Sequence, residues 1–206
     1  MGVAAVVRVG VMGGTFDPIH RAHLRAAQAA RAQLKLDRVL FVPAGQPWLK
    51  AERQISDAGH RVAMVRLAIA GKPYFKLSTI EVERPGPTYT VDTIARLGAE
   101  AGGKDEPLLI LGWDNLMELT QWHEPARLIK LCCIVAVPRP GYPVPDLEAL
   151  EKVLPGIARQ VIMLSRPEID VSASEIRARV AQGKSIRGMV PVAVERYIRE
   201  QKLYLP

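Results

Sequence analysis

The fold of this chain is decided by the run VVRVGVM at residues 6–12 and by the segment GGTFDPIHRAH at residues 13–23 that follows it. The first run is rich in β-branched residues, which predicts a buried strand, and the glycine pair predicts where that strand stops. From Arg21 onward the Ala-rich sequence has apolar residues at helical spacing, which predicts an amphipathic helix. A strand, a glycine turn and a helix in this order begin a βαβ unit, so the sequence indicates an α/β protein.

Further short apolar runs alternate with helical patterns along the rest of the chain. The predicted strands are residues 38–43, 75–82, 108–111, 132–137 and 160–164, and the predicted helices are residues 57–69, 91–101, 147–154, 172–182 and 191–200. This alternation is typical of a Rossmann-like, mostly parallel sheet flanked by helices, here with a short helical C-terminal part. We predict one domain over residues 1–206, with a core at about 6–165 and the C-terminal motif and helices at about 166–206.

The composition limits the classes of protein and partner to be considered. The chain has 206 residues, of which 49% are apolar, and this is enough for one α/β domain with a sizeable core. Lys and Arg outnumber Asp and Glu by 28 to 21, and the formal charge of +7 favours anionic partners. Aromatic residues make up only 5%, which disfavours a protein that binds single-stranded nucleic acid by stacking.

The N-terminal run and the cysteines favour a cytoplasmic protein. The run at residues 6–12 lacks a basic segment and a cleavage site, and no apolar stretch reaches the roughly eighteen residues of a membrane span. Cys132 and Cys133 are neighbours within an apolar run, which predicts two small buried side chains rather than a disulfide framework or a zinc site. We therefore expect a cytoplasmic location and no membrane partner.

The segment at residues 13–23 has the features of a phosphate site. Two glycines let the backbone approach a phosphate closely, and the N–H groups at the start of the following helix favour negative charge. His20 and His23 are three residues apart, so both rings are expected on one face near the helix start, directed at one phosphate chain. The end of a strand is also where open α/β sheets bind their ligands.

Three other motifs do not fit this chain. The sequence Gly183-Lys184-Ser185 is similar to the end of a P-loop, but Ala178 stands where that motif needs its first glycine. Gly183 is instead predicted to cap the C-terminus of a helix. No GxGxxG dinucleotide fingerprint follows the first strand, and the histidine pair lacks the third ligand of a zinc site, so no metal ligand is assigned.

The segment at residues 13–23 resembles the GGTFDP[IV]HxxH signature of the nucleotidyltransferase superfamily, whose members transfer AMP or CMP to phosphate acceptors. The segment VSASEIR at residues 171–177 resembles the ISSTxIR element of the same superfamily, although its Ser172 and Glu175 also fit an ordinary capping box. The resemblance implies that both segments hold ATP. The implied ATP site comprises Gly13, Gly14, Thr15, Phe16, His20, His23, Lys50, Ser172, Ser174 and Arg177, and its catalytic members are His20, His23, Lys50 and Arg177.

The intermediate segments are similar to the nicotinate-nucleotide adenylyltransferase family. They are EVERPGPTYTVDT at residues 81–93, LGWD at 111–114, Trp122, RPGY at 139–142 and VPVAVERYI at 190–198. The resemblance implies that the acceptor is bound by Thr88, Tyr89, Thr90, Asp114, Trp122 and Arg139, with Trp122 stacked on the nicotinate ring. The chain departs from the family pattern at Ala22, Leu49 and Trp113, the last two near the implied acceptor pocket.

This resemblance implies an adenylyltransferase that transfers AMP from MgATP to the 5′-phosphate of nicotinate mononucleotide, giving deamido-NAD and pyrophosphate. The implied partners are ATP and nicotinate mononucleotide, with Mg²⁺ carried on ATP and without nucleic acid, and a homo-oligomer stays open. Alternatives within the superfamily are transfer to nicotinamide mononucleotide or to the phosphopantetheine and glycerol-phosphate acceptors. From other classes, a basic nucleic-acid-binding module and a non-catalytic nucleotide sensor also stay open.

Overall fold

The computed structural model describes residues 6–46, 55–166 and 170–206. The strands are β1 (Val7–Gly14), β2 (Arg38–Pro43), β3 (Phe75–Leu77), β4 (Asp105–Gly112), β5 (Cys133–Val137) and β6 (Val161–Met163). The helices are α1 (Arg21–Leu34), α2 (Ala58–Ile69), α3 (Thr90–Glu100), α4 (Trp113–Met117), α5 (Pro125–Leu131), α6 (Leu147–Val153), α7 (Ile157–Gln160), α8 (Ala173–Ala181) and α9 (Val192–Glu200), with a 3-10 turn at Leu119–Gln121.

The six strands form one sheet in the order β3-β2-β1-β4-β5-β6, and every neighbouring pair is parallel. The chain builds the sheet outward from β1 in one direction and then from β4 in the other. The carboxyl ends of β1 and β4 therefore meet where the strand order reverses, which is the usual ligand position in such sheets. The predicted Rossmann-like fold class is confirmed.

Side chains on the strands alternate between two apolar layers, one on each face of the sheet. Met12, Ile110 and Val135 face a layer that α1, α2, α8 and α9 cover. Their neighbours Val11 and Ile134 face the other layer, to which α3, α4, α5 and α7 contribute. Because both faces are covered, the strands are apolar along most of their length, as parallel strands usually are.

Two predicted helix caps are confirmed. The Asp57 carboxylate accepts a hydrogen bond from the Gly59 N–H at 2.7 Å, at the start of α2. Gly183 follows the last turn of α8 with φ of 66°, a left-handed conformation that glycine adopts without steric cost. These caps satisfy backbone groups that the helix itself leaves unpaired.

Two predicted strand ends are wrong. The pair Gly13-Gly14 does not stop β1 but continues it, in register with Val42 and Pro43 of β2, because a ladder needs only backbone groups. Strand β3 ends at Leu77 instead of continuing to residue 82. Beyond it the chain turns, and the Glu83 N–H donates to the Thr79 carbonyl at 2.9 Å.

None of the helices described has the length and apolar character needed to cross a lipid bilayer.

Candidate active site

The glycine turn at the carboxyl end of β1 leaves the backbone open to a ligand. A Cβ atom on Gly13 would meet nothing within 4 Å, whereas one on Gly14 would lie 3.1 Å from the Phe16 ring. Phe16 has φ of 51°, a conformation rare for a bulky residue, and its ring is almost fully buried. The turn thus holds an aromatic ring beneath the backbone while its outer side stays uncovered at Gly13.

His20 and His23 lie together where α1 begins, as the spacing predicts. Their rings are stacked with centroids 3.7 Å apart, and the Phe16 ring meets the His23 ring edge-on with centroids 5.1 Å apart. The His20 backbone N–H donates to His23 Nδ1 at 3.2 Å. This bond occupies Nδ1 of His23, so in a neutral ring the proton is on Nε2.

His20 is neutral at physiological pH in the free protein. Only 6% of its surface is exposed, and desolvation by burial, with a smaller contribution from the positive charge of Arg139, lowers the pKa of His20 to about 3. Its buried Nδ1 has no hydrogen-bond partner among the described residues. His20 is therefore a neutral imidazole, and its Nδ1 is open to a further hydrogen bond.

This burial predicts a pH dependence of stability. In the unfolded state the pKa of His20 is near 6.5, so its imidazole binds a proton below that pH. In the folded state the same ring stays unprotonated down to about pH 3. Unfolding is thereby favoured as the pH falls. From pH 7 to pH 5 we expect the wild-type free energy of unfolding to drop by about 2 kcal/mol more than that of His20→Gln. Urea unfolding of both proteins at the two pH values measures this, and parallel losses would contradict the assigned burial.

Helix α8 is joined to the glycine turn by a long-range hydrogen bond. Arg177 donates through Nη1 to the Asp17 carbonyl at 2.7 Å and through Nη2 to Ser174 Oγ at 3.2 Å. At the start of the helix, Ser172 Oγ accepts from the Glu175 N–H at 3.1 Å. The two segments of the sequence that were predicted to hold ATP are therefore in direct contact, 160 residues apart in the chain.

On the acceptor side, an ion pair joins the ends of β4 and β5. Asp114, in the first turn of α4, accepts from Arg139, which follows β5 and lies over the Tyr142 ring. A Cβ atom on Gly112 would come within 2.4 Å of Asp114 Oδ1, so a larger residue there would require the Asp114 carboxylate to move. Because Arg139 also acts on His20, the predicted acceptor and phosphate sides lie within electrostatic reach of each other.

The remaining predicted acceptor residues surround the start of α3. Tyr89 is the N-cap residue of this helix and Thr90 its first residue. The Tyr89 ring stacks on His123, centroid to centroid at 4.1 Å, beside the predicted Trp122. The segments that carry the predicted acceptor residues also hold five buried polar atoms without a hydrogen-bond partner among the described residues: Arg84 Nη2, Thr88 Oγ1, Trp113 Nε1, Asp114 Oδ1 and Trp122 Nε1. Since buried polar atoms in proteins are nearly always paired, this group indicates a binding surface.

Two further residues at the site were not anticipated from the sequence. Arg61 of α2 is 2% exposed and donates to carbonyls in three different segments, as described below. Gly45, after β2, lies so close to residue 81 that an added Cβ would be 2.3 Å from the Glu81 carbonyl oxygen and 2.9 Å from Thr88 Cγ2. Neither residue belongs to a motif with a fixed spacing, so the sequence offers no signal for their roles.

The structure thus connects most of the predicted site. Contacts lead from Thr88 through Gly45 and Arg61 to Thr15. Lys50 and Leu49, where the chain departs from the family pattern, lie outside the described residues.

A cavity of about 460 Å³ elsewhere on the sheet contains no predicted site residue. It is lined by Val9, Val11, Arg38, Leu40, Lys76, Leu97, Gly98, Glu100, Ala101, Asp105 and Pro107.

No group of three or more His, Cys, Asp or Glu side chains that could hold a metal ion occurs within residues 6–46, 55–166 and 170–206. The charged groups at the site instead bond backbone carbonyls, as Arg61 and Arg177 do, or one another, as Arg139 and Asp114 do.

Comparison with known proteins places this geometry in a family. The profile of the cytidylyltransferase-like family matches residues 11–179. A probable nicotinate-nucleotide adenylyltransferase of Dehalococcoides mccartyi is 48% identical over 198 residues, covering 96% of this chain and 97% of that protein. A protein of the same name from Thermomicrobium roseum is 45% identical over 197 residues, covering 96% and 91% of the two chains.

Among solved structures, the nicotinic acid mononucleotide adenylyltransferase of Plasmodium falciparum complexed with NaAD superposes with a TM-score of 0.80. The match covers 96% of this chain and 97% of that one at 18% sequence identity. At this identity the superposition supports the fold, and it does so over nearly the whole length of both chains.

Proposed function

The chain belongs to the nicotinate-nucleotide adenylyltransferase family, within the cytidylyltransferase-like proteins, and from this membership we propose that it transfers AMP from MgATP to the 5′-phosphate of nicotinate mononucleotide. The products are deamido-NAD, a precursor of NAD, and pyrophosphate. Mg²⁺ enters as part of the MgATP substrate and supplies positive charge on the phosphate oxygens.

The observation that supports this proposal is the contact, at the carboxyl end of β1, between the two segments that were predicted to bind phosphate. The stacked His20 and His23 rings begin one helix, and Arg177 of α8 reaches the loop between β1 and that helix. Two helix N-termini and a guanidinium beside an open glycine turn provide the donors that a triphosphate needs. No side chain is required as a covalent nucleophile.

The proposed reaction is a direct displacement at the α-phosphorus of ATP. An oxygen of the acceptor's 5′-phosphate forms the new P–O bond, the bond from the α-phosphorus to the bridging oxygen breaks, and pyrophosphate leaves with that electron pair. Such transfers depend mainly on alignment and on compensation of developing negative charge. His20, His23 and Arg177 provide hydrogen bonds for this charge, and Lys50 is proposed to add a positive charge.

The acceptor is proposed to bind between the start of α3 and the end of β4. The pyridine ring lies against Trp122, and its carboxylate meets the residues at Thr88-Tyr89-Thr90, where helix α3 presents its positive N-terminal end. Arg139 and Asp114 are held as an ion pair beside this position. A negative carboxylate gains more from a helix N-terminus than a neutral amide does, which favours nicotinate over nicotinamide mononucleotide.

Pyrophosphate release from MgATP, measured with nicotinate mononucleotide and with nicotinamide mononucleotide in parallel, tests the proposal. We expect release that requires the acceptor and is faster with nicotinate mononucleotide, together with a dinucleotide product of the matching mass. Equal rates would refute the preference for nicotinate mononucleotide but would still support adenylyl transfer. No release with either acceptor would overturn the enzyme assignment in favour of a nucleotide sensor.

Replacing Trp122 tests the acceptor position separately. We expect Trp122→Ala to raise the KM for nicotinate mononucleotide by about tenfold with little change in kcat, because stacking between aromatic rings stabilises ground state and transition state alike. Trp122→Phe keeps a ring and should retain most of the affinity. Steady-state kinetics at saturating ATP measure both variants, and an unaltered acceptor KM in Trp122→Ala would place the pyridine ring elsewhere.

A further inference from the structure

Arg61 is a buried guanidinium that holds loops on both sides of the proposed phosphate site. Its Nη1 donates to the Thr15 carbonyl at 3.0 Å and to the Ala44 carbonyl at 2.7 Å, and its Nη2 donates to the Gly45 carbonyl at 3.2 Å. The Nε atom donates to the Ser56 carbonyl at 3.0 Å. One side chain thus connects the turn after β1 with the loop after β2 and with the entry to α2.

Among the described residues, nearby acidic groups balance the charge of Arg61 without forming a direct ion pair with it. Burial lowers the pKa of Arg61, while the negative charges of Asp17 and Asp57 act in the opposite direction. The guanidinium stays protonated at neutral pH in any case. Asp17 is itself fixed, since its carboxylate accepts from Tyr204 Oη at 2.8 Å and from the Ser56 N–H at 3.3 Å.

These contacts determine where the backbone N–H groups of the two loops point. In a planar trans peptide the carbonyl and the next N–H point in opposite directions. Because Arg61 attracts the Thr15 and Ala44 carbonyls, the N–H groups of Phe16 and Gly45 point away from the guanidinium. Neither N–H donates a hydrogen bond to another described residue.

We propose that Arg61 is a positioning residue for adenylyl transfer, which turns the N–H groups of Phe16 and Gly45 toward the phosphates and fixes the distance between the two loops. It binds no substrate itself. The inference rests on the proposed function, because the phosphates are those of ATP and the acceptor. A lysine at this position retains the charge but cannot reach four carbonyls in different directions with one nitrogen.

The test compares Arg61→Lys with Arg66→Lys, an exposed arginine on the same helix. We expect Arg61→Lys to remain folded and to lose at least about tenfold in kcat/KM for both substrates, because small displacements of aligned groups are costly in transfer reactions. The loss should fall mainly on kcat. Arg66→Lys should behave as wild type. A folded Arg61→Lys with wild-type kinetics would overturn the inference.

Chemical rescue separates positioning from a general loss of stability. In Arg61→Ala, guanidinium at millimolar concentrations, far below the molar range that unfolds proteins, should restore activity several-fold and saturably. Guanidinium should not restore the activity of His20→Ala or raise the activity of the wild-type protein. Absence of rescue in an Arg61→Ala protein with a wild-type circular dichroism spectrum would also contradict the proposed role.

A binding measurement keeps this inference distinct from the proposed function. Pyrophosphate with Mg²⁺ should raise the melting temperature of the wild-type protein. The increase should be much smaller for Arg61→Lys. This comparison needs no turnover, so it remains informative even if wild-type protein fails to use nicotinate mononucleotide. Equal protection of both proteins would show that Arg61 does not organise the phosphate site.

Discussion

His20→Ala is expected to lower kcat for adenylyl transfer by about a hundredfold or more while changing ATP affinity much less. The ring is 6% exposed, stacked on His23, and has one nitrogen without a partner among the described residues. A donor held in this way requires no reorganisation as charge develops on the α-phosphate, so its contribution is greatest in the transition state.

Stopped-flow or steady-state measurement of pyrophosphate release gives kcat for this variant, and calorimetric titration with ATP gives the affinity. His20→Asn is the matched variant, because its amide keeps a hydrogen-bond donor of smaller reach, and we expect an intermediate loss. Melting curves establish that both variants are folded. A rate for His20→Ala equal to that of the wild type would remove the histidine from the proposed mechanism.

Gly45→Ala has the second largest expected effect, on stability and on rate together. The new methyl group would lie 2.3 Å from the Glu81 carbonyl oxygen, and this is a backbone atom that cannot turn aside as a flexible side chain can. Such overpacking typically costs about 1–3 kcal/mol. Displacing the Gly45 carbonyl also disturbs its bond to Arg61, and we expect the rate of transfer to fall by roughly a hundredfold.

Gly98→Ala provides the control for this prediction. Gly98 lies within α3, and a Cβ atom there would meet nothing within 4 Å. Alanine at such a position should stabilise the protein by about 0.5–1 kcal/mol, since glycine loses more conformational freedom on folding. Thermal and urea unfolding of both variants measure the difference. A Gly45→Ala protein with the melting temperature of the wild type would show that residue 81 can move away at little cost in stability.

The elements that the sequence predicts well are those whose signal is local. Strand β2 begins and ends where the apolar run does, and α1 begins at Arg21 as its Ala-rich pattern indicates. The strand predicted to continue to residue 82 fails for a tertiary reason. Glu81 is buried and accepts a hydrogen bond from Thr93 Oγ1 at 2.7 Å, and the alternating sequence around it does not reveal this.

The site residues likewise differ in whether their signal in the sequence is local or depends on tertiary contacts. His20 and His23 could be placed from their spacing alone, because three residues along a helix return to the same face. Arg61 could not, since an arginine in a helix is usually solvated and only the approach of Thr15, Ala44 and Gly45 makes this one a buried donor. The short helices α4, α5 and α7 lack the length needed for a periodic signal.

The contact between Tyr204 and Asp17 has a consequence for how the protein is made. Asp17 leaves the ribosome early, but its tyrosine partner follows 187 residues later, and β1 pairs with β4 only after about half of the chain has been synthesised. Long-range pairing of this kind slows folding. During synthesis the loop that is proposed to hold the phosphates is therefore completed late, after the strands on either side of it have paired.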